Sequence, residues 1–215
     1  MSDIHPCQSL TSLALAHARG LPCAAAEVAI EKRSTRVASW ESRAVLSAVS
    51  LEPKHKTTMT VLVYLQDGRC GRASGAVGTD GSVRRMVENA LDRASSAAPS
   101  RSAGPAERYA QHDQGLGLHD KRQGQLTDEA REAVVNENLE DVRSVAGVEP
   151  LVFRYTEELV HRRVANSAGL EQVEVSTHYT LWGQVRQKEH VVEQAVQSRH
   201  FADVASLPLG ADLAA

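Results

Sequence analysis

Apolar and polar residues alternate most regularly between Val173 and Val185. Val173, Val175, Thr177, Tyr179, Leu181, Gly183 and Val185 fall on one face of a strand. Glu174, Ser176, His178, Thr180, Trp182 and Gln184 fall on the other. The turn-forming group Asn166-Ser167-Ala168-Gly169 sits just upstream, after a shorter alternating run. The pattern predicts a hairpin with one polar face, either plain wet surface or a surface presented to something.

Elsewhere the period changes. Leu10, Leu13, Ala14 and His17 recur at helical spacing and Gly20 follows, which predicts a helix over roughly 8–19. Residues 26–33 and 36–45 read as two strands with Ser34-Thr35 as the turn between them. The β-branched run Thr58–Leu65 reads as a buried strand. Asp67-Gly68 then signals a two-residue hairpin turn of type I′, and residues 70–77 return. Val83, Val87, Ala90, Leu91 and Ala94 form the apolar stripe of a second helix. The segment 95–107, with Pro99, Gly104 and Pro105, is expected to be a flexible connector. A third helix opens after Thr127, buries Val135, Leu139, Val142 and Ala146, and stops at Gly147. Strands follow at 148–153, 158–165, 173–185 and 190–196, and the tail from Ser206 carries no strong pattern. The expected class is α+β: mostly antiparallel sheet units covered by amphipathic helices. The expected organisation is a single domain over 1–215, with halves 1–98 and 126–205 joined by the linker.

Composition narrows this picture. Of 215 residues, 42% are hydrophobic but only 4% aromatic, so Val, Leu and Ala must supply much of the core. A net charge of −3 and a pI near 6.3 give no electrostatic footprint for nucleic acid. Arg84-Arg85, Arg162-Arg163 and Lys54-His55-Lys56 read as solvated basic spots. Cys7, Cys23 and Cys70 fit neither a zinc spacing nor an even disulfide framework, which points to a reducing, cytoplasmic setting. The opening residues lack the pattern of a signal peptide, and no run reaches the ~20 apolar residues of a membrane span.

Candidate chemistry is sparse. None of the nine histidines forms H-E-x-x-H; His190 has Glu193 three residues on but no second His one turn away. His112-Asp113 and His119-Asp120 are the most metal-like group, in a Gly-rich stretch that reads better as a connecting loop. No G-x-S-x-G elbow or G-x-x-x-x-G-K-[ST] loop occurs. The glycines between Gly75 and Gly81 lack a lysine and read as an ordinary strand-to-helix turn. Trp40 and Trp182 either cover sheet surface or anchor an interface.

Several segments together resemble a known family. "TVLVYLQDGRCGRAS" followed by "SVRRMVENALDRASSA" resembles the strand, Gly turn, G-x-A-S return strand and amphipathic helix of the N-terminal domain of TldD/PmbA proteins, also called modulators of DNA gyrase. "LGLHDKRQGQLTDEAREAVV" resembles that family's L-Y-D-P segment, with His119 in place of the Tyr and Lys121 in place of the Pro. "RRVANSAGLEQVEVSTHYTLWGQV" resembles its A-N-S-x-G turn and long strand. The likeness runs from about Glu27 to the C-terminus.

The resemblance implies a zinc-dependent peptidase of two related subunits, one carrying H-E-x-x-x-H in a C-terminal domain. No such motif exists here, so no catalytic or metal residue carries over. The expectation is a noncatalytic domain or subunit of a TldD/PmbA-like peptidase system. Its expected partners are a larger TldD/PmbA-type subunit or a second copy, and an extended peptide; nucleic acid and membrane are not expected. Zinc is expected only in a catalytic partner. The alternative is a free-standing interaction or regulatory module without a proteolytic role. Trp40, Glu174, Ser176, His178, Thr180 and Trp182 are the candidate contacts, with strand addition at Val173–Val185 as the candidate mode.

Overall fold

The computed structural model describes residues 4–42, 50–100, 104–105 and 118–214, apart from the side chains of residues 4–6, 50 and 51. The strands are β1 (Ala25–Glu41), β2 (Ser50–Tyr64), β3 (Cys70–Ala76), β4 (Val148–Asn166), β5 (Glu171–Gln187) and β6 (His190–Ser198). The helices are α1 (Ile4–Arg19), α2 (Asp80–Ser96), α3 (Asp128–Arg143), α4 (Phe201–Ala205) and α5 (Leu209–Ala214). The strands form one antiparallel sheet in the order β3-β2-β1-β4-β5-β6, so the class is α+β. Two compact units divide the chain. The first comprises Met1–Arg33, His55–Leu116 and Val160–Val175; the second comprises Ser34–Lys54, Gly117–Leu159 and Ser176–Ala215. Each unit draws on both of the halves expected from the pattern.

In the first unit the helices meet the sheet through aliphatic side chains and Met59, with buried Thr11, Arg163 and Asn166 elsewhere in the unit. Val28, Ile30, Met59, Val61, Val63 and Ala73 meet Ala14 and Ala18 of α1 and Val83, Val87, Ala90 and Ala94 of α2. The stripe predicted for α2 is therefore the buried one, with Leu91 at its margin. Thr79 caps this helix: its hydroxyl accepts from Ser82 N at 3.2 Å, and Ser82 Oγ accepts from Thr79 N at 3.1 Å. Helix and strand approach closely at Gly71, where a Cβ would lie 2.1 Å from Ala90 O and 2.2 Å from Ala94 N. Only glycine fits there.

The hairpin before β3 differs from the expected type. Gly68 alone has positive φ, at 82°, and Asp67 does not. Gly68 N donates to Leu65 O at 3.1 Å and Leu65 N to Arg69 O at 2.8 Å. The loop is thus one turn closed by a left-handed Gly, longer than a two-residue I′ connection. Asp67 instead accepts from Arg69, by N–H at 3.2 Å and by Nε at 2.7 Å.

The second unit buries larger rings. Phe153 and Tyr155 of β4, Tyr179, Leu181 and Val185 of β5, and Val134, Val135, Leu139 and Val142 of α3 share one cluster. Phe201 stands edge-on to Tyr155 and Tyr179, each at 6.0 Å between centroids. Thr127 caps α3, accepting from Ala130 N at 3.2 Å, as expected. Ala146, expected in the core, is exposed because the helix has already ended at Arg143.

Three other expectations are corrected. Ser34-Thr35 is no turn, because β1 runs straight through it with neighbours on both sides in the sheet order. Thr35 even reaches Glu158 on β4, hydroxyl to carboxylate at 3.5 Å. Residues 148–153 and 158–165 are likewise one strand, β4. In both cases a long strand with a neighbour on each side in the sheet order overrides a weak local preference for a turn. The patternless tail is helical: Leu209 and Leu213 of α5 are buried in the second cluster, and Gly210 N donates to Asn138 Oδ1 at 2.8 Å.

Candidate functional site

Strand β5 carries five of the six candidate contacts. Its core face holds Thr177, Tyr179, Leu181, Gly183 and Val185, all buried. That matches the apolar face read from the alternation, except that Val173 at its start is 45% exposed. On the opposite face His178, Thr180 and Trp182 are half-buried and Ser176 is buried, all within the second unit. Glu174, also half-buried, falls in the first unit. Trp40 does not join them. It packs against the second core cluster, with the Arg143 guanidinium 5.3 Å from its ring centroid.

Strand addition at β5 meets an obstacle. Strand β6 pairs with it from Tyr179↔Ser198 to Gln187↔His190, so the outer edge of that stretch is already occupied. At Thr177 the backbone N–H donates to Leu118 O at 2.9 Å. A ligand at this part of β5 is therefore limited to side chains on the polar face. Among these, His178 Nε2 meets Arg199 Nη1. The same guanidinium donates to Thr177 O at 3.4 Å.

The most elaborate polar cluster was not among the candidates. Glu157 is fully buried. It accepts from Arg131 Nε at 2.6 Å and Arg131 Nη2 at 3.1 Å, from Tyr155 Oη at 3.2 Å, and from Gln123 Nε2. Arg131 also donates to Leu126 O at 2.7 Å and Asp128 Oδ1 at 3.2 Å. Burial works against the Arg131 charge, but the bonds and attraction from Glu157 outweigh it and raise the guanidinium further. Burial and then Glu157 push both Tyr155 and Tyr179 well above the ordinary phenol range. Among the described residues the buried Tyr179 hydroxyl has no partner at full hydrogen-bond geometry, only a weak approach to Thr177 that slightly offsets its upward shift. Its strand neighbour Thr177 is engaged elsewhere, accepting from Asp120 N and donating to Arg199 O, both at 2.8 Å. Signals for this cluster existed in the sequence. Glu157 continues the Phe153–Tyr155 alternation, and Arg131 sits one turn before the Val134–Val135 stripe.

Of the metal-like group, His112 and Asp113 lie outside the described residues. His119 is exposed, whereas Asp120 is buried and committed to backbone. Its carboxylate accepts from Arg122 N and Phe201 N, each at 3.0 Å. Burial alone would raise its pKa, but these two bonds and the Arg122 charge hold it below the usual carboxylate range. Asp120 therefore joins the loop before α3 to the start of α4. Among the described residues, no three His, Cys, Asp or Glu side chains converge as a metal site would require. No described helix is long and apolar enough to cross a membrane.

The first unit offers an open cavity of about 500 Å³ lined by Pro22, Cys23, Leu65, Gln66, Asp67 and Arg69. It holds no activated nucleophile. Burial pushes the Cys23 thiol up, and Cys23 Sγ donates to Ala18 O at 3.2 Å. Asp67 and Arg69 are paired with each other.

No protein-family model and no curated protein matches the sequence. Solved structures do match. A protein of Bacteroides thetaiotaomicron named as a candidate modulator of DNA gyrase superposes with a TM-score of 0.75 at 18% identity, over 96% of this chain and 48% of that one. TldE of Thermococcus kodakarensis gives 0.66 at 14% identity, over 96% and 46%. A second candidate gyrase modulator, from Thermotoga maritima, gives 0.64 at 12%, over 96% and 47%. The chain spans about half the length of these structures. At such identities the likeness is one of fold: this chain has the fold of about half of a TldE-like protein.

Proposed function

We propose that the chain is a noncatalytic domain or subunit of a TldD/PmbA-like peptidase system, holding a larger subunit, an extended peptide or both. The carrying observation is the coverage: 96% of this chain shares its fold with about half of TldE and of two candidate gyrase modulators. In this reading the chemistry belongs to a partner that carries H-E-x-x-x-H and zinc, since this sequence has no such motif. Peptide contact falls to His178, Thr180 and Trp182 on the polar face of β5. Side-chain bonds and an aromatic surface would hold the ligand there, because β6 already fills the backbone edge. Affinity is expected to be weak, since ordering an extended peptide costs about 1–2 kcal/mol per residue. None of Cys7, Cys23 and Cys70 is in a disulfide, which suits a cytoplasmic setting.

Co-purification with an H-E-x-x-x-H subunit, followed by peptidase assays with and without this chain, tests the reading. A stable complex whose peptide turnover changes on adding the chain supports it. Binding that leaves turnover untouched favours the free-standing interaction module, and no binding to subunit or peptide overturns both.

A further inference from the structure

Strand β6 is last in the sheet order; α4 and α5 reach it, but among the described residues no strand pairs beyond it. His190 through Ala195 are all exposed, with Val191 at 54% and Val192 at 38%. Outer strands normally carry a device against pairing with another chain: Pro, Lys, a bulge or a covering element. The strand at the opposite end of the order is defended in this way. Helix α2 packs onto β3 at Gly71, and Arg93 Nη1 donates to Arg72 O at 2.7 Å. Its neighbour β2 carries Pro53, Lys54 and Lys56 in the stretch beyond the β3 pairing, which begins at Thr58. The β6 sequence, HVVEQAVQS, contains no Pro, Lys or Gly.

We infer that β6 pairs antiparallel with β6 of a second copy of this chain, about a two-fold axis at Gln194. Two identical antiparallel strands form a closed, self-complementary contact, and side-chain chemistry selects its register. Centring on Gln194 sets Val192 opposite Val196 twice, Glu193 opposite Ala195 and His190 opposite Ser198. Centring on Glu193 would put two carboxylates face to face, which opposes pairing. Centring on Ala195 would strand Val192 opposite Ser198. Within the chain, Val192 already lies across from Val185 and Val196 across from Leu181, both buried in the core. The Gln194 register therefore continues two apolar rows from one copy into the other. This partner is independent of any peptidase subunit, so the inference and the proposed function can fail separately.

A strand of nine residues spans only ~30 Å, and one strand pair falls short of the ~1,200 Å² of a standard interface. The dimer is accordingly expected to be micromolar. Sedimentation velocity of the full chain between about 1 and 500 µM should show monomer giving way to dimer. Val192→Lys should weaken the dimer at least about tenfold, with an unchanged circular dichroism spectrum and melting curve showing that the fold is intact. Gln194→Cys should cross-link to its own counterpart under mild oxidation, since opposed residues bring their Cβ atoms within about 4.5–5.5 Å. Glu193→Cys should not. A chain that stays monomeric throughout overturns the inference, including one whose β6 captures an added peptide or longer subunit instead. A dimer indifferent to Val192→Lys, or one cross-linked through 193 rather than 194, overturns it equally.

Discussion

The two units use opposite side-chain strategies beneath similar sheet-and-helix cover. The first packs Ala, Val, Ile and Met so tightly that α2 rides on the bare backbone of Gly71. The second fits Phe153, Tyr155, Tyr179 and Phe201 around a buried carboxylate, Glu157, with Arg131 as its counter-ion. Where helix meets sheet, the first core depends on volume, its buried Arg163 and Asn166 finding partners at the turn before β5, whereas the second places its ion pair among the rings themselves. Added bulk should hurt the first, and the second should fail when one member of a polar pair is lost.

The largest expected effect is at Glu157. Glu157→Ala leaves the buried Arg131 without its main partner and should cost about 3–5 kcal/mol, read from denaturant midpoints. Replacing both, as Arg131→Met with Glu157→Leu, should recover most of that loss, since an apolar pair needs no partner. If the double variant is as unstable as the single, the ionic reading of the second core is wrong. Next comes Gly71→Ala. Its Cβ would meet backbone rather than a flexible side chain, so a cost at the upper end of about 1–3 kcal/mol for overpacking is expected. Hydrogen exchange should locate the damage in α2 and β3; damage spread evenly over both units would blur the contrast.

Asp120→Asn should cost about 1–3 kcal/mol, because one of its two backbone bonds loses an acceptor. Its pH dependence has a definite sign. The folded carboxyl lies below its unfolded value, so its contribution is complete above about pH 4 and disappears as pH falls through the lowered folded value. The wild-type stability curve should drop more steeply than that of Asp120→Asn in this acid window. The smallest effect is expected at Tyr179. Removing its weakly engaged hydroxyl in Tyr179→Phe should be neutral or slightly stabilising. Tyr155→Phe, which deletes a bond to Glu157, should cost roughly 1.5–3 kcal/mol. Equal effects at the two tyrosines would show that the polar network does not extend as drawn.

Much of this architecture was legible along the chain. The α2 stripe at Val83, Val87, Ala90 and Ala94 and the Thr127 cap of α3 rest on local rules, and each appears where the pattern put it. The same holds for the inward face of β5 from Thr177 to Val185. Candidate site residues were less legible. Alternation assigns faces within one strand but says nothing about which strand lies beside it. The polar residues of β5 therefore looked like an open edge, although β6 covers that edge from Tyr179 onward.

By itself the sequence determined helices α1 to α3, the inward faces of α2 and β5 and the lack of an H-E-x-x-x-H motif, because these depend on residue identity and short-range periodicity. Tertiary structure alone decided that Ser34-Thr35 is strand, that the tail is helix, and that Glu157 meets Arg131 across 26 positions. It also decided that β6 ends the sheet order, with its residues 190–195 exposed. Those outcomes depend on hydrogen bonds and burial supplied by segments distant in sequence, and no local pattern encodes which partner will arrive.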